Sequence, residues 1–249
     1  MEQFLGLPVL GVVPQKMRAL NDERADLTYA EAYRVLRANL RFSQKWSGKK
    51  TLTVTSGGVG EGKSLTLFNL ACVSAQLGEK VLIVDAYLHR PRQHRLARIE
   101  NADGLVSILL GERTAAETVV RTGIDGLDMI PSGRVVTGAV HGLLDSERFR
   151  MVVESVRDRY DLILVDAPPV MGVSDTYVLI REAEGVMIVV QHRQYPRAVA
   201  RRARDVAETL GGNLIGIALN NVDLSRDHAQ YRYHYYEYYG RRKAKGAQA

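Results

Sequence analysis

The chain has 249 residues, enough for one large domain or one domain with appendages, and 46% hydrophobic with 25% charged residues suits a globular protein with a real core. Its single cysteine, Cys72, excludes a disulfide framework, fits a reducing cytoplasm and reads as a small buried residue on a helix. The net charge of +6 is uneven: from Arg226 onward six basic residues face Asp227 and Glu237, so the tail carries +4 and the near-neutral body argues against a nucleic-acid partner.

From the N-terminus, Met1 to Val13 lacks a basic start and is broken by Gly and Pro, so no signal peptide is expected. The longest apolar runs, such as 81–84 and 162–165, fall far short of a membrane span. In "TYAE", Thr28 and Glu31 form a capping box that predicts a helix to about Gln44, ended by "WSGKK". Residues 1–49 therefore read as an N-terminal linker and helix, 50–225 as the main domain, and 226–249 as a flexible tail.

Six apolar runs predict strands at 51–55, 81–85, 127–130, 162–166, 186–190 and 214–219. They are continuous rather than alternating, as expected of strands buried on both faces of a parallel sheet. Between them, Phe149, Val152, Val153, Val156 and Tyr160 mark a helix over 146–160, and Val199, Ala203, Val206, Ala207 and Leu210 mark one over 197–210. Strands alternating with helices predict a doubly wound, mostly parallel α/β sheet.

"SGGVGEGKS" at 56–64 follows a strand and opens a helix, and Gly57, Gly62, Lys63 and Ser64 satisfy the spacing of a phosphate-binding P-loop. Glycines let backbone N–H groups turn inward around phosphate oxygens, and the helix N-terminus adds partial positive charge. Gly57, Gly58, Val59, Gly60, Glu61, Gly62, Lys63, Ser64 and Leu65 are the expected ATP contacts. Lys63 supplies charge for the β- and γ-phosphates and Ser64 a hydroxyl for Mg²⁺. Two apolar strands end in carboxylates, "VLIVD" in Asp85 and "LILVD" in Asp166. Strand carboxyl ends line the ligand crevice of such sheets, so Ser64, Asp85 and Asp166 are the expected metal ligands, with Lys63, Asp85 and Asp166 catalytic. These residues predict binding of a nucleoside triphosphate with magnesium.

In combination, "GEGKS", "VLIVDAYLHRP", "YDLILVDAPPV" and the terminal "YRYHYYEYYG" resemble the bacterial tyrosine kinases, P-loop enzymes of capsular and extracellular polysaccharide export. "LGLPVLGVVP" and "EAYRVLRANLRF" resemble the segment joining that kinase to a membrane-embedded chain-length partner, so the likeness runs from about Leu5 to the tail. The resemblance implies an ATP- and Mg²⁺-dependent autokinase, working in a ring of protomers at the inner face of the cell membrane. A polysaccharide co-polymerase and a cognate tyrosine phosphatase are the implied partners. It implies that Tyr231, Tyr233, Tyr235, Tyr236, Tyr238 and Tyr239 are phosphoacceptors, modified in trans between protomers. Six phosphates would move the charge of that tail by about −9 to −12. The resemblance also places Glu31, Arg34 and Arg37 at the ring interface, where residue spacing alone gives a solvated face with an i, i+3 ion pair. Asn220, just past the last predicted strand, stands where related P-loop ATPases contact adenine.

The chain departs from the family at Asp85-Ala86-Tyr87, where the family's motif is D-x-D. Tyr87 cannot act as a carboxylate at neutral pH. Either Asp85 and Asp166 suffice, or the kinase is weak, or the position has been altered. Val59 also replaces the proline usual in that loop. Two other readings stay open: a catalytically weak ATP-binding regulatory module, and a dimeric switch like the septum-site and partitioning ATPases. The switch carries a second loop lysine at the position that Gly58 occupies here. The histidines show no metal-ligand spacing, so no structural zinc is expected.

Overall fold

The structure, a computed structural model, describes residues 1–22, 30–134 and 142–224; Thr28 and the tail tyrosines lie outside them. Eight strands form one sheet: β1 (Val9–Pro14), β2 (Thr51–Ser56), β3 (Val81–Asp85), β4 (Val120–Ile124), β5 (Leu127–Ile130), β6 (Leu162–Asp166), β7 (Gly185–Gln191) and β8 (Leu214–Val222). Their order is β1-β8-β7-β2-β6-β3-β5-β4, and every neighbouring pair is parallel except β4 with β5.

The described helices are α1 (Glu2–Leu5), α2 (Ala30–Phe42), α3 (Lys63–Gln76), α4 (Gln93–Ala97), α5 (Leu105–Leu109), α6 (Ala115–Thr118), α7 (Ser146–Arg157), α8 (Asp175–Arg181) and α9 (Arg197–Thr209). They cover both faces of the sheet, which explains why β2, β3 and β6 are buried at every residue. Side chains still alternate. In β3, Val81 and Ile83 join a core with Leu36 of α2 and Leu67 of α3, while Leu82 and Val84 join another with Leu105 of α5 and Phe149 of α7. Each fully buried Leu or Ile of this kind contributes about 1.5–3 kcal/mol from burial. A third core joins Leu5, Val186 and Ile188 to the small residues Ala200, Ala203 and Ala207 of α9.

The six predicted strands are all present, and the stripe from Phe149 to Tyr160 is buried. Helix α7 stops at Arg157, short of the expected end; Tyr160 packs from the following turn and donates to Asp128 Oδ2 at 2.9 Å. The stretch read as a separate N-terminal linker is part of the sheet. Its Val9–Pro14 segment pairs with β8 as an edge strand, and α2 packs over β1 and α3. Arg204 of α9 donates to the Leu5 carbonyl at 2.8 Å, and Arg201 stacks on Phe4 at 4.1 Å. Cys72 is buried on α3, and burial pushes its thiol up to about 12. No helix among the described residues is long and apolar enough to cross a membrane.

Candidate active site

The carboxyl ends of β2, β6 and β3 lie side by side at the centre of the sheet, with Asp85 in register with Asp166. The turn from β2 into α3 is the predicted phosphate loop. Gly62 precedes the helix at φ +83, a left-handed conformation that L side chains rarely adopt, and no side chain caps the helix N-terminus. The first N–H groups of α3 thus stay available to an anion.

This loop is held by its own neighbours. Glu61 is buried and accepts from the Gly58 N–H at 2.7 Å and the Gln191 N–H at 3.2 Å. Burial raises its carboxyl above the usual range, against the lowering effect of those N–H groups. Ser56 Oγ donates to the Gly58 carbonyl, and the Tyr195 hydroxyl donates to the Val59 carbonyl, both at 2.8 Å. Asn220 lies within β8 rather than past its end, and its Nδ2 donates to the Glu61 carbonyl at 2.8 Å. A Cβ on Gly62 would come within 2.1 Å of that nitrogen. A Cβ on Gly58 would come within 2.5 Å of the Tyr195 ring, so a lysine there, as in the dimeric switch, requires Tyr195 to move. Val59 and Gly60 at the loop tip face solvent, and Leu65 is half-buried on the first turn of α3.

Lys63 is buried at the floor of the cleft. Its Nζ donates to Asp166 Oδ1 and to Ser64 Oγ, each at 3.2 Å. Its ammonium also sits 4.1 Å from the centroid of the Tyr87 ring. The residue standing for the family's second aspartate therefore caps the P-loop lysine, and only 7% of it is exposed. Burial raises the Tyr87 phenol further above neutrality, so it stays protonated.

Asp85 and Asp166 are fully buried. Asp85 Oδ2 accepts from the N–H groups of Arg92 at 3.0 Å and Gln93 at 2.9 Å. Burial and the neighbouring Asp166 push the Asp85 carboxyl up to about 7, against these N–H groups and Lys63. Gln93, which carries no sequence signature, reaches into the same centre: its Nε2 donates to Asp166 Oδ2 at 2.8 Å and to the Ser64 carbonyl at 3.0 Å. Two buried carboxylates and a hydroxyl at one point make a hard oxygen donor set that fits Mg²⁺. Asp85 Oδ1, buried and without a hydrogen-bond partner, is the observation that favours such a guest.

The three residues of the E-x-x-R-x-x-R motif stand on α2, away from this centre. Arg34 pairs with Glu31 at 2.8 Å, and Arg37 turns onto Glu79 at 2.9 Å, where Arg41 also pairs.

Residues 49–202 match the model of a family described as an AAA domain. The chain is 33% identical over 205 residues to the tyrosine-protein kinase YwqD of Bacillus subtilis, which covers 82% of this chain and 86% of that protein. It is equally identical, at 33% over 212 residues, to the tyrosine-protein kinase etk of Escherichia coli, covering 85% of this chain but 29% of that longer protein. The solved kinase domain of the latter superposes with a TM-score of 0.81 at 28% identity, over 93% of this chain and 97% of that one. A likeness of fold alone extends to the septum site-determining protein MinD of Pyrococcus horikoshii, solved with Mg-ADP. Its TM-score is 0.61 at 22% identity, over 69% of this chain and 70% of that one.

Proposed function

The chain belongs to the bacterial tyrosine-protein kinases, and from that premise we propose that it is an ATP-dependent autokinase that phosphorylates its own C-terminal tyrosines in trans. The observation that carries this reading is the meeting of Lys63, Ser64, Asp85 and Asp166 at the mouth of the phosphate loop. The N–H groups of 59–62 and of the α3 N-terminus cradle the phosphates of ATP. Lys63 leaves Asp166 and the Tyr87 face to meet the transferred phosphoryl. Ser64, Asp85 and Asp166 would hold Mg²⁺, which supplies charge neutralisation between the phosphates.

The acceptor is a tyrosine among Tyr231, Tyr233, Tyr235, Tyr236, Tyr238 and Tyr239 of another protomer. Its phenolic oxygen forms a bond to the γ-phosphorus as the bond to the β-bridging oxygen breaks. The phenolic proton passes to the Asp85–Asp166 pair. The tail, +4 before modification, becomes strongly anionic, a change suited to loosening a ring of protomers and so to regulating polysaccharide synthesis and export. In this reading the chain works at the inner face of the cell membrane beside a polysaccharide co-polymerase, and a cognate phosphatase resets it.

The test is the intact mass of the protein before and after Mg-ATP, with Lys63→Met alongside. One to six added phosphates, mapped to the tail of the wild type only, are expected; the variant should lose at least about 10²–10³-fold in rate. An unmodified wild type that still binds ATP would sink the autokinase reading.

The place of Tyr87 over Lys63 favours a second reading, a weak kinase that serves mainly as an ATP-binding regulatory module. It predicts that Tyr87→Asp, which frees Lys63 and restores the carboxylate, raises the autophosphorylation rate about 10-fold or more. An unchanged rate would remove Tyr87 as a brake.

A further inference from the structure

Gln93 is fully buried, and its side chain and backbone hold all three candidate metal ligands. Its N–H fixes Asp85 Oδ2, and its Nε2 bridges Asp166 Oδ2 and the backbone carbonyl of Ser64. Both partners of that amide end are acceptors, so the end facing them must be the NH₂ and the other must be the oxygen. That oxygen, Gln93 Oε1, is buried and has no hydrogen-bond partner. Asp85 Oδ1, on a residue that Gln93 itself holds, is buried and unpartnered as well. Two orphan acceptors on residues of one buried cluster are costly in a folded protein unless a donor or cation completes them.

We infer that Gln93 is the positioning residue of the metal site: Nε2 presets Asp166 and the Ser64 turn, and Oε1 accepts a hydrogen bond from the hydrated cation. This rests on the reading of the cleft as a Mg-nucleotide site. Its chemical logic is that Mg²⁺ keeps several of its waters, whose protons need fixed acceptors, and carboxylates alone cannot set their directions. An amide supplies both a donor to the ligand carboxylate and an acceptor to the water, without adding a third negative charge beside Asp85 and Asp166. A leucine or methionine would fill the same space and do neither.

The experiment uses the full chain and the fluorescent nucleotide mant-ADP, with affinity measured in EDTA and across a MgCl₂ titration. For Gln93→Met, the Mg²⁺ concentration for half-maximal enhancement should rise about 10- to 100-fold. The EDTA affinity should stay within about twofold, because no phosphate contact is lost. Gln93→Glu loses the Nε2 donor but keeps an oxygen where Oε1 stands, so its half-saturation should rise too, by at least about threefold less than in Gln93→Met. A mere brace would respond alike in both variants, since both lose the Nε2 donor. Equal shifts in the two, or no shift in Gln93→Met, overturn the assignment. Should Gln93→Met not fold, Gln93→Leu takes its place in the same comparison, and equal shifts in Gln93→Leu and Gln93→Glu overturn it. A wild type whose mant-ADP binding ignores Mg²⁺ would instead overturn the Mg-nucleotide reading, and this inference with it.

Discussion

On the β2 side of the cleft, the loop's Glu61 carboxylate, its Gly58 N–H and its Gly58, Val59 and Glu61 carbonyls all have partners within the protein. On the β3 side, two buried oxygens have none, and two carboxylates share one buried site. The first wall is braced as folded: its braces come from β7, β8 and the turn before α9, so the phosphate cradle is shaped before any phosphate arrives. The second wall is held at a cost, offset only when charge is neutralised there. On the proposed function, rigid, satisfied geometry serves recognition of a group common to all nucleotides, and stored electrostatic cost serves the step in which charge moves.

The largest effect that could break this contrast is at Asp85. Its carboxyl is raised to about 7 by burial and by Asp166. A raised carboxyl keeps its proton in the folded state, so its unfavourable contribution is absent below the unfolded value near 4. That contribution grows as pH rises, until the folded group ionises near 7. Asp85→Asn, neutral at every pH, should therefore stabilise the protein by a few kcal/mol at pH 8 and by much less at pH 5. Urea unfolding of both proteins at the two pH values checks this. A gain that is equal at both pH values, or a loss at pH 8, would mean the β3 wall is not under electrostatic load.

Glu61 is the opposite experiment, on the satisfied wall. In Glu61→Gln one of the two oxygens becomes an NH₂, which then faces either the Gly58 or the Gln191 N–H, donor against donor. Leaving one buried donor unpaired should cost about 1–3 kcal/mol of stability and weaken ADP binding even without metal. Stability equal to wild type would show that the loop does not depend on this brace.

The parts of the cleft differ as much in how legible they were. The phosphate loop and the two strand-end aspartates follow from local order: an apolar run, a Gly-rich turn, a helix, and runs that stop at a charge. Sheet topology at the edges was harder. "VLGVVP" carries a Gly and ends in Pro, features of a linker, yet it forms β1 because an edge strand paired on one side tolerates both. "VRTGI" lacks an apolar run because β4 is half-exposed, so no strand signal marks it in the sequence. Gln93 and Tyr195 had no signal at all. Their roles come from contacts 73 and 136 residues away in the chain, which no period or spacing encodes. Tyr87 was visible as a departure from the family motif, but its seat on Lys63 needed the packing of β3 against the start of α3. The tail tyrosines, the most conspicuous feature of the sequence, lie outside the described residues.

The smallest predicted effect separates two roles within one side chain. The Tyr195 ring lies where a side chain on Gly58 would go, and its hydroxyl ties down the Val59 carbonyl. Val59 is 48% exposed, so water can replace that hydroxyl, and Tyr195→Phe should cost about 0.5–1.5 kcal/mol or less. ADP affinity should change by about threefold at most, because the ring still backs the loop. The ring is the part that counts: Gly58→Ala should weaken ADP binding in the wild type and in Tyr195→Phe, but much less in Tyr195→Ala, where the space is open. If Gly58→Ala is harmless in all three, the ring does not shape the loop. The bar to a second lysine at this position must then come from elsewhere than sterics. If the penalty follows the ring, Tyr195 is what separates this loop physically from that of the dimeric switches.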